Sequence, residues 1–245
     1  MTMNRATEPR DRYNFRKALA LIERDIKLLK DTDTHVLDQS LMKRYKIRAL
    51  PLSLNAQDAR APKFFTPFVP ESIPEPTAEY VDHEYNTSST LSPSEWGWSI
   101  YLYLDAVGDY DFGDLYRTFD PKFGSLAIWH VLGSSRPHIK CIMHNNLDSD
   151  DSYLLRGEVL TVIRIMLGQL KQKIFVNDMI APVLLFSLNR RHPRVIEAYF
   201  DGQELVIRRT EPYDFQFLNT VGFKTFAQWF LGNPIGDTSK RAVRT

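Results

Sequence analysis

Cysteine and long apolar runs are nearly absent from this chain of 245 residues, in which Cys141 is the one cysteine. A single cysteine excludes an internal disulfide bond and a cysteine-rich zinc site. No apolar run approaches the roughly 20 residues that cross a bilayer, and the N-terminal residues are polar and charged. We therefore expect an intracellular protein, cytoplasmic or nuclear, with no membrane partner.

An excess of charge of either sign is missing as well. The 31 basic and 30 acidic side chains leave a formal net charge of +1, so nucleic acid is not an expected partner except through a local patch. The motifs G-x-S-x-G, G-x-x-x-x-G-K-[ST], G-x-G-x-x-G and H-E-x-x-H do not occur. We expect no cofactor, although an enzyme that works by shape and a few hydrogen bonds needs none of these motifs.

No metal site is expected either. The acidic run from Asp148 to Asp151 resembles the start of a calcium-binding loop, but an EF-hand needs glycine at its sixth position and glutamate at its twelfth. Tyr153 and Val159 stand at those positions. We interpret the acidic run as the cap of the helix that follows, because carboxylates suit the positive end of a helix dipole.

One amphipathic helix and three short strands, between Ser152 and Arg209, organise the predicted fold. Apolar residues of the helix recur at the spacing of one buried stripe: Leu155, Val159, Val162, Ile163, Met166, Leu170 and Ile174. The uninterrupted apolar run of residues 183–188 predicts a central strand that is covered on both faces. Residues 194–200 and 203–209 predict the next two strands of an antiparallel meander.

The dipeptide Asp201-Gly202 predicts a two-residue type I′ turn between the last two strands, because both turn positions need positive φ. With that register Ile196 faces Ile207 of the third strand on the core side. Glu197 and Arg208 then lie diagonally on the opposite, wetter face.

Helical and extended patterns surround this unit. They predict an α/β (α+β) fold in which helices pack on a single mixed or antiparallel sheet, with a helix, three-strand meander and helix at its centre. Near the C-terminus, Phe223, Phe226 and Phe230 share one face of a helix that ends at Gly232. The predicted division is an N-terminal helical hairpin (1–49), a docked proline-rich segment (50–79), the α/β core (80–235) and a basic disordered tail (236–245).

Aromatic residues accompany the proline-rich segment and the helix predicted to follow it. Residues 50–77 contain six of the 14 prolines, which disfavour regular ladders, and a free linker has little use for aromatic residues. We predict that this segment docks across the aromatic cluster and gates a cleft. The predicted ligand-binding residues are Phe64, Phe65, Phe68, Trp96, Trp98 and Tyr101. A packed core is the alternative interpretation of the cluster.

Several sequence blocks resemble a family of uncharacterised proteins common in filamentous fungi. They cover about the last ninety residues and comprise Leu155-Arg-Gly-Glu-Val159, Ala181-Pro-Val-Leu-Leu-Phe-Ser187, Arg194-Val-Ile-Glu-Ala-Tyr-Phe-Asp-Gly-Gln203, Tyr213-Asp-Phe215 and Trp229-Phe-Leu-Gly-Asn233. The family supplies no activity to carry over to this chain.

The order of helix, three-stranded meander and helix is similar to the core of the PD-(D/E)XK nucleases. This resemblance implies that Glu158 stands for the helix carboxylate, and Glu197 or Asp201 for the carboxylate of the second strand. The third strand, residues 203–209, departs from the pattern because it has no E-x-K. Two-metal chemistry then lacks a ligand and its charge partner.

Three function classes stay open. The first is a binding or interaction protein with an aromatic-lined cleft and no metal chemistry, whose partner is a protein or a hydrophobic small molecule. The second is a cofactor-free cyclase or isomerase of fungal secondary metabolism that acts on a hydrophobic small molecule. The third is a divergent metal-dependent nuclease. A closed pocket at Trp96, Trp98 and Tyr101 would favour the second class, whereas convergence of Glu158, Glu197 and Asp201 would favour the third.

Overall fold

The computed structural model describes residues 8–73, 123–130, 136–217 and 219–239. Within these ranges the chain forms a mixed six-stranded sheet with packed helices, which confirms the predicted α/β class. The helices are α1 (Arg10–Leu28), α2 (Gln39–Arg44), α3 (Arg156–Lys171) and α4 (Thr220–Leu231). None of the described helices is long and apolar enough to cross a membrane.

The sheet has the strand order β2-β9-β8-β7-β5-β4. These strands are β2 (Ile47–Pro51), β4 (Phe123–His130), β5 (Ile139–Asn145), β7 (Val183–Asn189), β8 (Arg194–Phe200) and β9 (Leu205–Arg209). The β2–β9 and β5–β7 pairs are parallel, and the other three are antiparallel. The apolar strand β7 lies inside the sheet and is covered on both faces, as predicted. Two short pairs add to it: β1 (Val36–Leu37) with β6 (Leu154–Leu155), and β3 (Phe65–Thr66) with β10 (Asn233–Pro234).

Helix α3 lies on the first face of the sheet, beneath α1, and is buried on nearly all sides. The predicted single stripe is therefore too narrow. Gln169, which the stripe left outside, is fully buried, whereas Ile174 lies beyond the helix and is 63% exposed. Helix α1 packs on α3 and, with the sheet, leaves little of the helix exposed.

The turn between β8 and β9 differs from the predicted type I′ turn. Phe200 pairs with Leu205, so the loop has four residues. Gly202 has a φ of +101°, as a tight turn requires, but the Asp201 side chain organises the loop by accepting the amide N–H groups of residues 203 and 204 at 2.9 and 2.8 Å. Glu197 consequently stands directly opposite Arg208. Both side chains are buried, so the predicted wetter face is wrong.

Irregular chain and α4 cover the second face of the sheet. Of the predicted face of α4, Phe226 and Phe230 pack against the apolar cluster, whereas Phe223 is 44% exposed. Trp229, which the predicted face left out, is the fully buried aromatic residue of the helix. Gly232 ends the helix because the proline-rich segment passes very close to it. A Cβ atom at residue 232 would stand 1.9 Å from the carbonyl oxygen of Thr66.

Two predicted boundaries also change. Residues 47–51 form the edge strand β2, so the division predicted between residues 49 and 50 falls within a strand. The described part of the tail is bound to the domain. Thr238 accepts the amide N–H groups of Met179 and Ile180 through its carbonyl oxygen, and its hydroxyl is 2.5 Å from a carboxylate oxygen of Asp178. The tail is therefore not free up to residue 239.

Candidate functional site

Glu158, the first proposed metal ligand, is a buried structural group. Its carboxylate accepts two hydrogen bonds from Arg194, at 2.5 and 2.9 Å, one from Asn189 at 3.1 Å and one from the N–H of Leu155 at 3.0 Å. Burial raises its pKa, but the charge and hydrogen bonds of Arg194 more than offset burial, so the net pKa lies below the usual 4.5. Glu158 thus caps its own helix. The acidic run predicted as the cap ends at Asp151, before the helix begins at Arg156, so that prediction is wrong.

Glu197, the second candidate, lies on the other face of the sheet. Its carboxylate accepts a hydrogen bond from Arg208 at 2.7 Å and one from the N–H of Phe64 at 2.8 Å. Burial raises the pKa of Glu197, and these two donors offset that rise only in part. Arg208 also donates to the carbonyl oxygens of Arg60 and Ala61, at 2.8 and 2.9 Å. This ion pair therefore fastens the proline-rich segment to the sheet.

Asp201, the third candidate, lies at the β8–β9 loop and is 3.0 Å from an Nη atom of Arg48. Glu158 belongs to the first face of the sheet, Glu197 to the second, and each of the three carboxylates has its own arginine. Across the described ranges no group of three or more histidine, cysteine, aspartate or glutamate side chains is placed to hold a metal ion. The structure thus does not bring the three nuclease candidates together.

The aromatic candidates divide into two groups. Phe64 and Phe65 are buried in the apolar cluster of the second face, with Tyr199 and Trp229. Phe68 is partly buried, and its N–H donates to the carbonyl oxygen of residue 228 at 2.8 Å. These three residues belong to the packing of the segment. Trp96, Trp98 and Tyr101 lie outside the described residues, so docking across them and gating stay predictions.

Two further titratable side chains lie on the second face. The Nζ atom of Lys140 donates to the carbonyl oxygens of Phe230 and Gly232 at the C-terminal end of α4, where a cation suits the helix dipole. Burial lowers the pKa of Lys140 to about 8. His138 is bonded at 2.8 Å to the carbonyl oxygen of Ile235, and burial lowers its pKa to about 4. Both groups contact the main chain of the α4 region.

A groove of about 1030 Å³ runs along the outer edge of β2, and all five residues of that strand line it. One wall comes from α2 through Gln39, Met42 and Lys43. The opposite wall comes from the start of the proline-rich segment, at residues 52–54 and 60, and residues 210–214 close one end. The sequence pattern did not predict this groove, because the boundary predicted between residues 49 and 50 divides β2 between a helical hairpin and a proline-rich segment.

The edge of β2 offers main-chain groups to the groove. The N–H of Leu205 donates to the carbonyl oxygen of Lys46, and the N–H of Leu52 donates to that of Arg209, both at 2.8 Å. In a parallel ladder, every second residue of a strand directs both its N–H and its C=O to the same neighbouring strand. These two bonds therefore show that the even-numbered residues of β2 bond to β9. The N–H and C=O groups of Ile47 and Ala49 therefore point outward, and no described strand pairs with that side of β2.

Charged side chains line both walls of the groove, but they differ in their partners. On the wall of the second face, Arg48 is ion-paired with Asp201 and Glu204. On the wall of the first face, the side chain of Lys43 has no hydrogen bond or ion pair within the described ranges. Arg209 is on that wall too, and its hydrogen bond goes to a carbonyl oxygen, that of Asp151. The first-face wall thus carries two cations that form no ion pair among the described residues. The carboxylates of Asp150, Asp151 and Glu158 act on Arg209 from a longer distance, and Asp151 also lines the groove.

Comparisons of the chain with protein-family models, with curated proteins and with solved structures gave no match. The resemblances to the fungal family and to the nuclease core therefore stay predictions.

Proposed function

We propose that the protein binds an extended segment of a partner protein, which adds as a strand to the outer edge of β2. The observation that carries this proposal is the coincidence of a strand edge that no described strand pairs with and a groove that follows its whole length. In strand addition, main-chain hydrogen bonds supply affinity and the groove walls supply specificity. The proposal keeps the predicted class of binding protein and moves its site from the aromatic cluster to β2.

The walls of the groove favour a single extended segment over a second copy of this chain. Strand β2 forms the floor between α2 and residues 52–60. A second copy carries the same walls around its own β2, so the two edges would be held apart. A bare peptide strand has no such walls and fits between them.

Ala49→Pro is the variant that tests the proposal. Proline removes the outward N–H of residue 49 but no hydrogen bond to β9, and edge strands tolerate proline where the N–H faces outward. Ala49→Ser is the matched control because it keeps the N–H. Random heptapeptides displayed on phage would be selected on the parent protein, and their dissociation constants measured on all three proteins. We expect about tenfold or more weaker binding to Ala49→Pro alone, since a lost outward N–H leaves a peptide carbonyl unpaired.

Hydrogen exchange provides a readout without a substitution. The Ala49 amide should exchange fast in the free protein and slowly with a selected peptide bound. Slow exchange in the free protein would show that this chain already occupies the edge, and light scattering would tell a second copy from residues 74–122 of the same copy. Either occupant overturns the proposal, as do selected peptides that bind Ala49→Pro as tightly as the parent.

A further inference from the structure

We infer that the bound segment carries two acidic side chains four residues apart, on the side of its strand that faces α2. This inference rests on the proposed function and names the class of its ligand. It comes from the two cations of the first-face wall, Lys43 and Arg209, and from their positions along β2.

Lys43 marks one end of the groove. Its carbonyl oxygen accepts the N–H of Lys46 at 3.3 Å, so Lys43 lies beside the start of β2. The side chain of Lys43 is exposed and lines the groove. Because no described carboxylate neutralises it, its charge is available to a ligand.

Arg209 marks the other end. It pairs with Pro51, the last residue of β2, and shares its parity with Leu205 and Ile207 of the first-face core. Its Nη2 atom is held by the carbonyl oxygen of Asp151, whereas the Nε and Nη1 atoms have no described partner and are not sealed from solvent. Each of these two N–H groups can donate one hydrogen bond to a ligand carboxylate, and the charge of the guanidinium strengthens that bond.

The spacing follows from strand geometry. Ile47 and Pro51 are four residues apart, which corresponds to roughly 13 Å at about 3.3 Å per residue. Side chains that are four residues apart in an added strand point to the same face, and those three apart point to opposite faces. A pair of acidic residues at the i and i+4 positions therefore meets both cations, whichever direction the segment runs.

The opposite wall does not attract acidic side chains in the same way. Arg48 already has Asp201 and Glu204, at 3.0 and 3.2 Å, and Arg60 has Asp58 at 2.8 Å. Glu211 and Asp214 also line the groove near its closed end. Acidic side chains that face this wall would meet satisfied cations and like charge. The two walls thus distinguish one face of the bound strand from the other.

Two peptides of identical composition test the inference. The first is acetyl-Thr-Glu-Val-Thr-Val-Glu-Thr-amide, with glutamates at the second and sixth positions. The second is acetyl-Thr-Glu-Val-Thr-Glu-Val-Thr-amide, with glutamates at the second and fifth. We expect the first to bind the parent protein about fivefold more tightly at low salt, since the second places only one glutamate on the side of α2 and forms one ion pair fewer. The peptides selected on phage should likewise be enriched in acidic pairs at the i and i+4 positions.

Variants assign the effect to the two cations. Lys43→Gln and Arg209→Gln should each remove most of the difference between the two peptides, and Arg48→Gln, on the other wall, should keep it. Lys43 has no described structural partner, so Lys43→Gln remains informative even if Arg209→Gln unfolds. Equal affinity of the two peptides, or selected peptides that bind at Ala49 without acidic pairs, overturns this inference and leaves the proposed function standing. Absence of any peptide that depends on the Ala49 N–H overturns both.

Discussion

The two faces of the sheet bury charge in different ways. On the first face, α1 and α3 cover an apolar cluster, and the main chain of a helix satisfies its own hydrogen bonds. On the second face, irregular chain lies across the strands and needs partners for its main-chain groups. Buried polar side chains supply them there: Glu197 to Phe64, Arg208 to Arg60 and Ala61, Lys140 to Phe230 and Gly232, and His138 to Ile235.

This difference explains a row of charge inside the sheet. Lys140, Leu184, Glu197 and Arg208 are lateral neighbours in successive strands. Burying these charged side chains under the middle of a helix would cost free energy, because the main-chain groups there are already hydrogen-bonded within the helix. Here Glu197 and Arg208 have main-chain partners in the proline-rich segment, and Lys140 has them at the C-terminal end of α4. What covers a sheet face therefore decides which residues that face can bury.

The largest expected loss of stability is on the first face, at the buried ion pair of Arg194 and Glu158. Arg194→Met leaves the fully buried carboxylate of Glu158 without its cation, and breaking a buried pair in this way costs about 3 to 5 kcal/mol. Urea denaturation of the parent and the variant measures the loss. The double variant Arg194→Met with Glu158→Met is the control and should recover much of it, because it leaves no unpaired charge. Equal stability of the parent and the single variant would contradict the assigned pair.

The next largest loss of stability is expected on the second face, from a substitution at Gly232. In Gly232→Ala the new Cβ atom collides with the Thr66 carbonyl, and relief by moving the segment costs about 1 to 3 kcal/mol, as overpacking does. The displaced segment should also become a substrate for limited proteolysis between residues 61 and 73. Gly202→Ala provides the control, because it strains the β8–β9 loop at a φ of +101° but does not touch the segment. Similar cleavage of both variants would show that global instability, not the contact at residue 232, exposes the segment.

The sequence predicted one face better than the other, for a physical reason. Apolar periodicity located α3, β7 and β8, because burial of regular elements leaves a period in the sequence. It did not predict that Trp229 faces inward, because the segment around Phe64 that packs there has no period of its own. The register of β8 and β9 was predicted wrongly because the side chain of Asp201, not its φ, organises the turn.

The groove was harder still to predict. Strand β2 has five residues and ends in proline, so its pattern is too short to identify it as a strand. Its pairing with β9 joins residues that are far apart in the chain, and such pairing leaves no local signal. Lys43 and Arg209 become neighbours of one groove only through that pairing. A site that depends on long-range strand pairing cannot be found from local spacing.

The two buried Glu–Arg pairs should also differ in their response to pH. Glu158 has a lowered pKa, so its contribution to stability is present above 4.5 and is lost as pH falls through the folded-state value. Glu197 has a raised pKa, so its contribution is present below 4.5 and is lost as pH rises through the folded-state value. The stability of the parent relative to Glu158→Gln should therefore rise with pH, and relative to Glu197→Gln it should fall.

Urea denaturation at several values between about pH 2.5 and pH 8 measures both slopes, that of Glu158 below pH 4.5 and that of Glu197 above it. Each substitution also adds a constant difference, because the amide and the carboxylate bond their arginine differently, but a constant does not alter a slope. Slopes of the same sign for the two variants would contradict the contrast between the faces. They would indicate that the Arg208 ion pair lowers the pKa of Glu197 by more than burial raises it.

The smallest expected effect is that of divalent metal ions. A nuclease site needs Glu158 and Glu197 as ligands of one metal cluster, but the sheet separates them and each is bonded to its own arginine. Mg²⁺ or Mn²⁺ should then produce no saturable heat and no shift in melting temperature, because a ligand that binds only the folded state must stabilise it. Sodium chloride at matched ionic strength is the control for screening. A stabilisation by Mn²⁺ that both Glu158→Gln and Glu197→Gln abolish would place the two carboxylates at one site. The separation of the two faces would then be wrong, and the nuclease hypothesis would replace strand addition.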